Sequence, residues 1–343
     1  RRSCVLGRCA VTGAAMTIEY EPSDTTIISW VFQWRGSILM LVLYRPAIWL
    51  FTAVHVGFLY SHVYHHLDLG SLVVDEDNAT AITTALLVFF SVFFGGLCYA
   101  RYFAFHDACM GMYSCCVQYA GLVRLYLPGA TPQQHWNACR HMMASAYMLY
   151  FELGGDASMG GTTVDDAEWG ILYRLQLLDP AERDVLESYA GPRPQLLQNW
   201  AIESMTQLLA TAPKVEGASL APFEEQALAL RGHCGAITNQ LKQPVPYPLY
   251  TTLMFMLCTN LLVLAYAMSG GGSIWSIPVY FMTCLVLLGL KELSCGLSDP
   301  FGNDAVDFDV DAFMARIMLN VRALLSPQAD YVPQKLECPP LDS

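Results

Sequence analysis

The sequence predicts an all-α membrane protein in which four transmembrane helices per subunit are continuous with a helical cytosolic region. Of the 343 residues, 54% are hydrophobic and only 14% are charged, and the mean hydropathy is +0.36. Soluble domains carry about 25% charged residues, so this composition indicates that lipid forms part of the solvent. Four long apolar segments are the second observation, and helical spacing of apolar residues between them is the third.

The four apolar segments are long enough to cross a bilayer, since a membrane-spanning helix needs about 20 apolar residues. The predicted spans are residues 38–62, 80–103, 247–268 and 274–290. We expect a bend or the membrane interface at Arg45-Pro46, where an arginine can reach the lipid headgroups. The glycine-rich loop 269–273 predicts a tight turn between the last two spans.

The charge distribution orients these spans. Residues 63–79, between the first two spans, contain four acidic residues and no Lys or Arg, so all 18 basic residues lie elsewhere. Because basic segments favour the cytoplasmic side, we expect both termini and the stretch 101–242 there. The chain is therefore predicted to be a multi-pass integral membrane protein, and the plasma membrane and an organellar (thylakoid) membrane both stay open.

The polar middle of the chain is predicted to be a helical body rather than a linker. Apolar residues recur at helical spacing in 136–151, 196–212 and 222–241. A further helix is predicted to begin with Asp179 as its N-cap and Pro180 at its first position. The predicted regions are 1–37 (N-terminal segment), 38–103 (first two spans), 104–242 (cytosolic region), 243–294 (last two spans) and 295–343 (acidic motif and tail).

Several function classes are disfavoured by the residues themselves. The net charge of −12 argues against nucleic acid as a partner. The 12 cysteines form no C-x-x-C pair, so neither a zinc site nor a disulfide framework is indicated. The sequence HVYHH at 62–66 matches one histidine box of membrane di-iron enzymes, but no second box follows. An enzyme is therefore only a remote alternative, and we predict that the chain is not one.

The sequence DPFGNDAVDFDVD at 299–311 contains five aspartates and begins nine residues after the end of the uncharged stretch 243–290. Asp304 and Asp307 are three residues apart and would share a face if a helix began there. Calcium binds six to eight oxygens from carboxylates and carbonyls, although the spacing does not fit an EF-hand. From the residues alone, a calcium site and a solvated acidic surface both stay open for this acidic motif.

A series of motifs in the same order resembles the bestrophins, which are pentameric calcium-activated anion channels. The matching segments are MTIEY (16–20), WRGSI (34–38), PAERDVLE (180–187), LRGHCGAITNQLKQPVPYPLYT (230–251) and the acidic motif. The resemblance implies a homopentamer in a lipid bilayer that passes chloride or other monovalent anions. The Arg-Phe-Pro sequence usual after the helix near residue 150 is missing, so the chain resembles a divergent member.

The resemblance also implies a Ca²⁺ site built on the acidic motif. The side chains of Asp304 and Asp307 would bind the ion, with help from backbone carbonyls. Those carbonyls belong to Gly296, Asp299 and Thr25, the last a loose assignment because the N-terminal segment is shorter here. Ala305 and Val306 replace residues that are acidic in animal members, which removes charge from the site.

The second span carries a candidate pore lining. Ala85, Phe89 and Phe93 are spaced i, i+4 and i+8 and so share one helix face, and spacing alone favours an ordinary packing stripe. The resemblance instead places these three residues at the pore neck, where rings of phenylalanine could gate by dewetting. It places a second constriction, the cytosolic aperture, near Ala218.

Other functions of the same architecture remain alternatives. One is a bicarbonate-conducting channel of an organellar membrane. Another is a channel module controlled by a fused photosensor, since the chain begins at Arg1 without Met and we expect a further segment upstream. A non-conducting membrane scaffold is the alternative from a different class.

Overall fold

The computed structural model describes residues 37–65, 76–154, 164–211, 215–302 and 306–326. Within these ranges the chain forms eleven α-helices and no strand, which confirms the all-α prediction. The helices are α1 Ile38–Leu43, α2 Pro46–His65, α3 Glu76–Tyr126, α4 Pro132–Gly154, α5 Asp166–Arg174, α6 Pro180–Ser188, α7 Arg193–Thr211, α8 Ala221–Lys242, α9 Tyr247–Ser269, α10 Ser276–Ser298 and α11 Val310–Leu325.

The described residues divide into two compact units. The first, here called the membrane unit, comprises residues 37–105 and 240–308 apart from the gaps. The second, called the helical body, comprises residues 106–239 and 309–326 apart from the gaps. Helix α3 runs through the boundary without interruption, so its first half belongs to the membrane unit and its second half to the helical body.

The membrane unit contains helices long and apolar enough to cross a bilayer. Four candidates are found among the described residues: Pro46–Tyr64, Thr80–Tyr126, Tyr247–Ser269 and Ser276–Ser298. Helix α2 packs against α9 and α10, and α1 packs against α10. Their shared core is apolar, with α3 contributing three buried residues, Leu87, Phe94 and Cys98. These four helices confirm the predicted multi-pass membrane protein.

Three spans differ clearly from their predicted bounds. The second, predicted to end at 103, continues within α3 to Tyr126. The first is broken into α1 and α2 before Pro46, because a proline has no N–H to continue the helical hydrogen bonds. The last continues to Ser298, eight residues beyond the predicted end. Lys291 Nζ lies 2.9 Å from Glu292 Oε1, and Arg45 donates to Glu292 Oε2 at 3.2 Å. Because these charges are paired with one another, the helix continues past them.

The helical body is built around α4. Every residue from His141 to Phe151 is buried, as expected for a helix that is surrounded by protein on all sides. Helices α7 and α11 pack against it. Helix α6 begins as predicted, because the Asp179 side chain accepts from the backbone N–H of Glu182 while Glu182 accepts from Asp179 N–H.

Candidate functional site

Helix α3 has a buried face and an exposed face in the membrane unit. Leu87, Phe94 and Cys98 form the buried face. Ala85, Phe89 and Phe93 point away from it, and the two phenylalanines are 66% and 51% exposed. Apolar side chains on other spans are exposed to a similar degree. The exposed face of α3 is therefore available to lipid or to another subunit, like the exposed faces of the other spans. The three predicted neck residues are thus together on one accessible face of one helix.

The outer half of α3 is joined to α9 by a polar contact inside the apolar unit. The Asn260 side chain is 1% exposed, and its Nδ2 lies 3.2 Å from Thr83 Oγ1 and 3.0 Å from Thr84 Oγ1. Polar groups in a membrane interior are costly unless paired, so this contact fixes the two helices against each other. Thr84 directly precedes Ala85, which places the contact at the start of the candidate neck.

At the other end of the candidate neck, Arg101 binds backbone carbonyls of two helix ends. Its Nε donates to Ser298 O at 2.7 Å, at the end of α10. Its terminal nitrogens donate to Gln240 O, and to Gln243 O at 2.7 Å, around the end of α8. The last carbonyls of a helix lack intrahelical donors and carry partial negative charge, so a guanidinium stabilises both ends.

The acidic motif folds back on itself directly after α10. Phe308 N–H donates to Pro300 O at 2.9 Å, and the rings of Phe301 and Phe308 lie 5.7 Å apart. Asp307 is only 3% exposed. A Cβ built on Gly302 would lie 2.9 Å from Asp307 Oδ2, so a larger residue at position 302 would make this carboxylate move.

The motif also rests on α10. A Cβ built on Gly296 would lie 3.1 Å from Val306 Cγ2, so the missing side chain at Gly296 makes room for Val306. The Gly296 carbonyl cannot accept the usual hydrogen bond from four residues on, because Pro300 has no N–H. The Asp-Pro turn therefore removes the backbone donor that would follow Gly296 in a continuous helix.

These features fit part of the predicted calcium site. Gly296, Asp299 and Asp307 lie in the described residues, whereas Asp304 and Thr25 lie outside them. Carboxylate and backbone carbonyl oxygens are the ligands that calcium prefers. Across the described part of the chain, no group of three or more His, Cys, Asp or Glu residues could hold a metal ion. The calcium site therefore stays a prediction.

The predicted aperture residue lies in the helical body. Ala218 is half-buried and its N–H donates to Val215 O at 3.1 Å, in a turn where Gly217 has a φ of 81°. Val215 N–H in turn donates to Tyr126 O at 3.0 Å, at the end of α3. A backbone hydrogen bond therefore ties the turn that carries Ala218 to the helix that carries the candidate neck.

Two carboxylates of the helical body have displaced pKa values of opposite sign. Burial opposes the charged form of Glu182, but hydrogen bonds from His141 and Arg140 outweigh it and lower its pKa to about 2. The distances are 2.8 Å to His141 Nε2 and 2.6 and 2.7 Å to the two Arg140 nitrogens. Burial raises the pKa of Glu152 to about 7, because Arg193 is 3.7 Å away and compensates only partly.

Sequence reasoning missed the neighbours of the acidic motif. Phe301 and Phe308 lie within the motif, but the sequence analysis assigned roles only to its aspartates and backbone carbonyls. The available signal was the pair of phenylalanines inside an acidic run, since apolar residues in such a run need a packing partner. The partners, Tyr102 and Phe105, are about 200 residues away in sequence, so no local pattern identifies them.

The chain is similar to proteins of known family and of known structure. The family model described as Bacterial/Fungal Bestrophin protein matches residues 17–323. A crystal structure of a bacterial bestrophin homologue variant from Klebsiella pneumoniae has a TM-score of 0.70 and 18% identity, over 84% of this chain and 98% of that one. A crystal structure described as a membrane protein has a TM-score of 0.70 and 17% identity, over 84% and 98%.

A second variant of the Klebsiella pneumoniae homologue has a TM-score of 0.69 and 17% identity, over 81% of this chain and 97% of that one. No curated protein matches the sequence. At such identities the solved structures establish the fold, and the family is established by the model that matches most of the chain. The protein is a member of the bestrophin family with the all-helical fold of the bacterial homologues.

Proposed function

We propose that this chain is one subunit of a homopentameric anion channel that conducts chloride and similar monovalent anions passively. The observation that carries the proposal is the accessible face of α3 with Ala85, Phe89 and Phe93, in a chain of the bestrophin family. One such face cannot enclose a pore, whereas a cyclic ring of copies can. Bestrophins form channels rather than enzymes, in agreement with the prediction that this chain is not an enzyme.

The phenylalanine rings would form the selective and gating part of the pore. Aromatic edges carry partial positive charge and can face a passing anion. A ring of apolar side chains can also expel water and so close a pore without a physical plug. Ala85 is smaller than the two phenylalanines, which makes the outer end of the neck its widest part.

Calcium is proposed to bind at the acidic motif and to open or stabilise the pore. Asp304 and Asp307 would supply charged oxygens, and Gly296, Asp299 and Thr25 would supply carbonyls. The support is the burial of Asp307 and the Asp-Pro turn, in which Pro300 offers no N–H to the Gly296 carbonyl. Ala218 is proposed to lie at the cytosolic aperture, where the resemblance to bestrophins places a second constriction.

The test is conduction by the purified protein in planar bilayers under opposed chloride and bicarbonate gradients, with and without calcium. Reversal potentials that follow the chloride gradient, with current that rises with calcium, support the proposal. A reversal potential that follows bicarbonate favours the organellar bicarbonate channel instead. Absence of anion current in every condition contradicts the channel and leaves the membrane scaffold.

A further inference from the structure

The helical body contains an open pocket formed by the start of α4, the turn after α5 and the end of α11. Its volume is about 300 Å³, and the residues that line it are Pro132, Trp136, Gln176, Arg322 and Leu325. Ligand pockets in proteins have volumes of about 300–1,000 Å³, so this one is large enough for a small molecule. All five lining residues belong to the helical body.

Arg322 is the charged residue of this pocket, and it rests on an aromatic ring. Its guanidinium carbon lies over Trp136, 5.3 Å from the ring centroid, and among the described residues it makes no hydrogen bond and no ion pair. The Trp136 Nε1–H donates to Gln176 O at 3.1 Å, which fixes the indole. Because the N–H donors of a guanidinium lie in its plane, stacking on a ring leaves them available to another group.

The position of Arg322 in the last turn of α11 does not account for its donors. An arginine in that turn commonly binds the last carbonyls of the helix. Here Arg124 does so, because its Nη1 donates to Leu324 O and, at 3.4 Å, to Ser326 O. None of the five residues that line the pocket is acidic, so the charge of Arg322 is not neutralised by its lining.

Gln176 stands at a backbone position that favours glycine. Its φ is 58°, and within the described ranges it is the only residue other than glycine with a positive φ. It directly follows α5, and Leu177 N–H donates to Leu172 O at 2.9 Å, as in helix ends that commonly carry glycine. Glycine adopts this conformation at a lower cost. The fold therefore does not require glutamine here, whereas a side-chain amide that lines the pocket does.

These groups match a carboxylate that carries a hydrocarbon body. Two N–H groups of an arginine bind the two oxygens of a carboxylate in parallel, and a glutamine amide can donate a further hydrogen bond. The rest of the lining, Pro132, Trp136 and Leu325, is largely apolar and suits carbon atoms. Chloride has one centre and no apolar part, so it would leave this part of the lining unused.

We propose that this pocket binds a small organic carboxylate, with the carboxylate on Arg322 and Gln176 and the carbon body against Trp136 and Leu325. The site does not rest on the proposed channel function, because binding requires neither conduction nor calcium. Arg322 and Trp136 lie on α11 and α4, which pack against each other. A ligand held between them stabilises the folded helical body by mass action.

The test uses the full-length protein in detergent and para-fluorobenzoate as the probe. Its binding is followed by fluorine NMR, with protein-free micelles as the blank. Arg322→Gln should weaken binding about tenfold or more, because hydrogen bonds to charged groups are the strong ones. Arg316→Gln is the matched control and should bind like the parent. Arg316 lies on the same helix, 4.6 Å from the Tyr113 ring centroid, but does not line the pocket.

Gln176→Gly separates binding from folding. It should weaken binding several-fold and yet raise the melting temperature without ligand, because glycine adopts the positive φ more readily. Parent-like binding by this variant or by Arg322→Gln would overturn the proposal, and so would an equal loss in Arg316→Gln. Displacement of the probe by inorganic phosphate at a lower concentration than by unlabelled benzoate would contradict the carboxylate as the ligand class.

Discussion

Among single residues, the aspartates of the acidic motif have different environments. Asp307 is buried beside Gly302, whereas Asp309 is the N-cap of α11, with its Oδ1 accepting from Ala312 N–H at 2.9 Å. Asparagine caps a helix about as well as aspartate, so an Asn at 309 preserves that role. A ligand carboxylate cannot be replaced in this way, because an amide brings no charge to a cation.

Asp304→Asn and Asp307→Asn should therefore each weaken calcium binding strongly, by about tenfold or more, since each removes a charged ligand. Asp309→Asn and Asp311→Asn should bind calcium like the parent. The measurement is calorimetric titration of the four single variants with calcium, at constant ionic strength. Greater loss from Asp309 or Asp311 than from Asp304 or Asp307 would show that the assignment of ligands has the wrong register.

Gly302→Ala is a variant that keeps all carboxylates in the same titration. Because its Cβ would lie 2.9 Å from Asp307 Oδ2, it should displace that carboxylate and weaken binding without changing charge. Unchanged affinity in this variant and in all four aspartate variants would identify the motif as a solvated acidic surface.

Glu152 predicts a pH-dependent stability in the helical body. Its pKa in the folded chain, about 7, lies above the ordinary value of 4.5, so the folded state favours the protonated form. Its contribution to the free energy of unfolding is therefore fully present below pH 4.5 and is lost as the pH rises through 7. Glu152→Gln should melt at a higher temperature than the parent at pH 8, and the difference should shrink at pH 5.

Glu182→Gln is the contrasting variant for the same melting experiment. The pKa of Glu182, about 2, lies below 4.5, so its stabilisation is present above pH 4.5 and lost only as the pH falls towards 2. This variant should melt below the parent at both pH 8 and pH 5. A Glu152→Gln difference that stays constant between these two pH values would contradict the assignment to that carboxyl.

Among the helices, α3 has the largest share in the proposed function, because it carries the candidate neck, Arg101 and the rings that meet the acidic motif. Its exposed face is also the hardest feature to distinguish from an ordinary lipid-facing stripe. A phenylalanine on another span allows a direct comparison with Phe89 and Phe93. Phe255 on α9 is 73% exposed and is not a proposed pore residue.

Phe89→Ala combined with Phe93→Ala should widen the neck and remove its dewetted segment, because the rings would lose most of their apolar bulk. Current through the variant should depend less on calcium than the parent's current, as measured in planar bilayers over a calcium series. Phe255→Ala serves as the matched control and should conduct like the parent. A double variant that conducts and gates like the parent would show that these phenylalanines do not line the pore.

For the whole molecule, the central prediction is the number of subunits. A single chain supplies one face of α3, so a closed ring is needed before any pore exists. Native mass spectrometry in detergent should give about five times the 38.0 kDa of one chain. A monomer or dimer as the sole species would contradict the channel, irrespective of the calcium measurements.

Much of the fold could be predicted from local pattern. The four spans follow from runs of apolar residues, and the start of α6 follows from Asp179 and Pro180, because both signals depend on neighbours within one or two helical turns. The residues at which the spans end were less predictable. The charges at Lys291 and Glu292 suggested an end to the last span, but they pair with each other and with Arg45, nearly 250 residues away.

The sequence by itself determined the membrane class, the helical content, the family resemblance and where the acidic motif and the candidate neck residues lie along the chain. Only the tertiary structure decided what the motif touches. Arg101, Tyr102 and Phe105 contact Ser298, Phe308 and Phe301 respectively. Contacts between residues about 200 positions apart leave no trace in local spacing. Helical periodicity gives the face a side chain occupies, and the fold determines which partner that face meets.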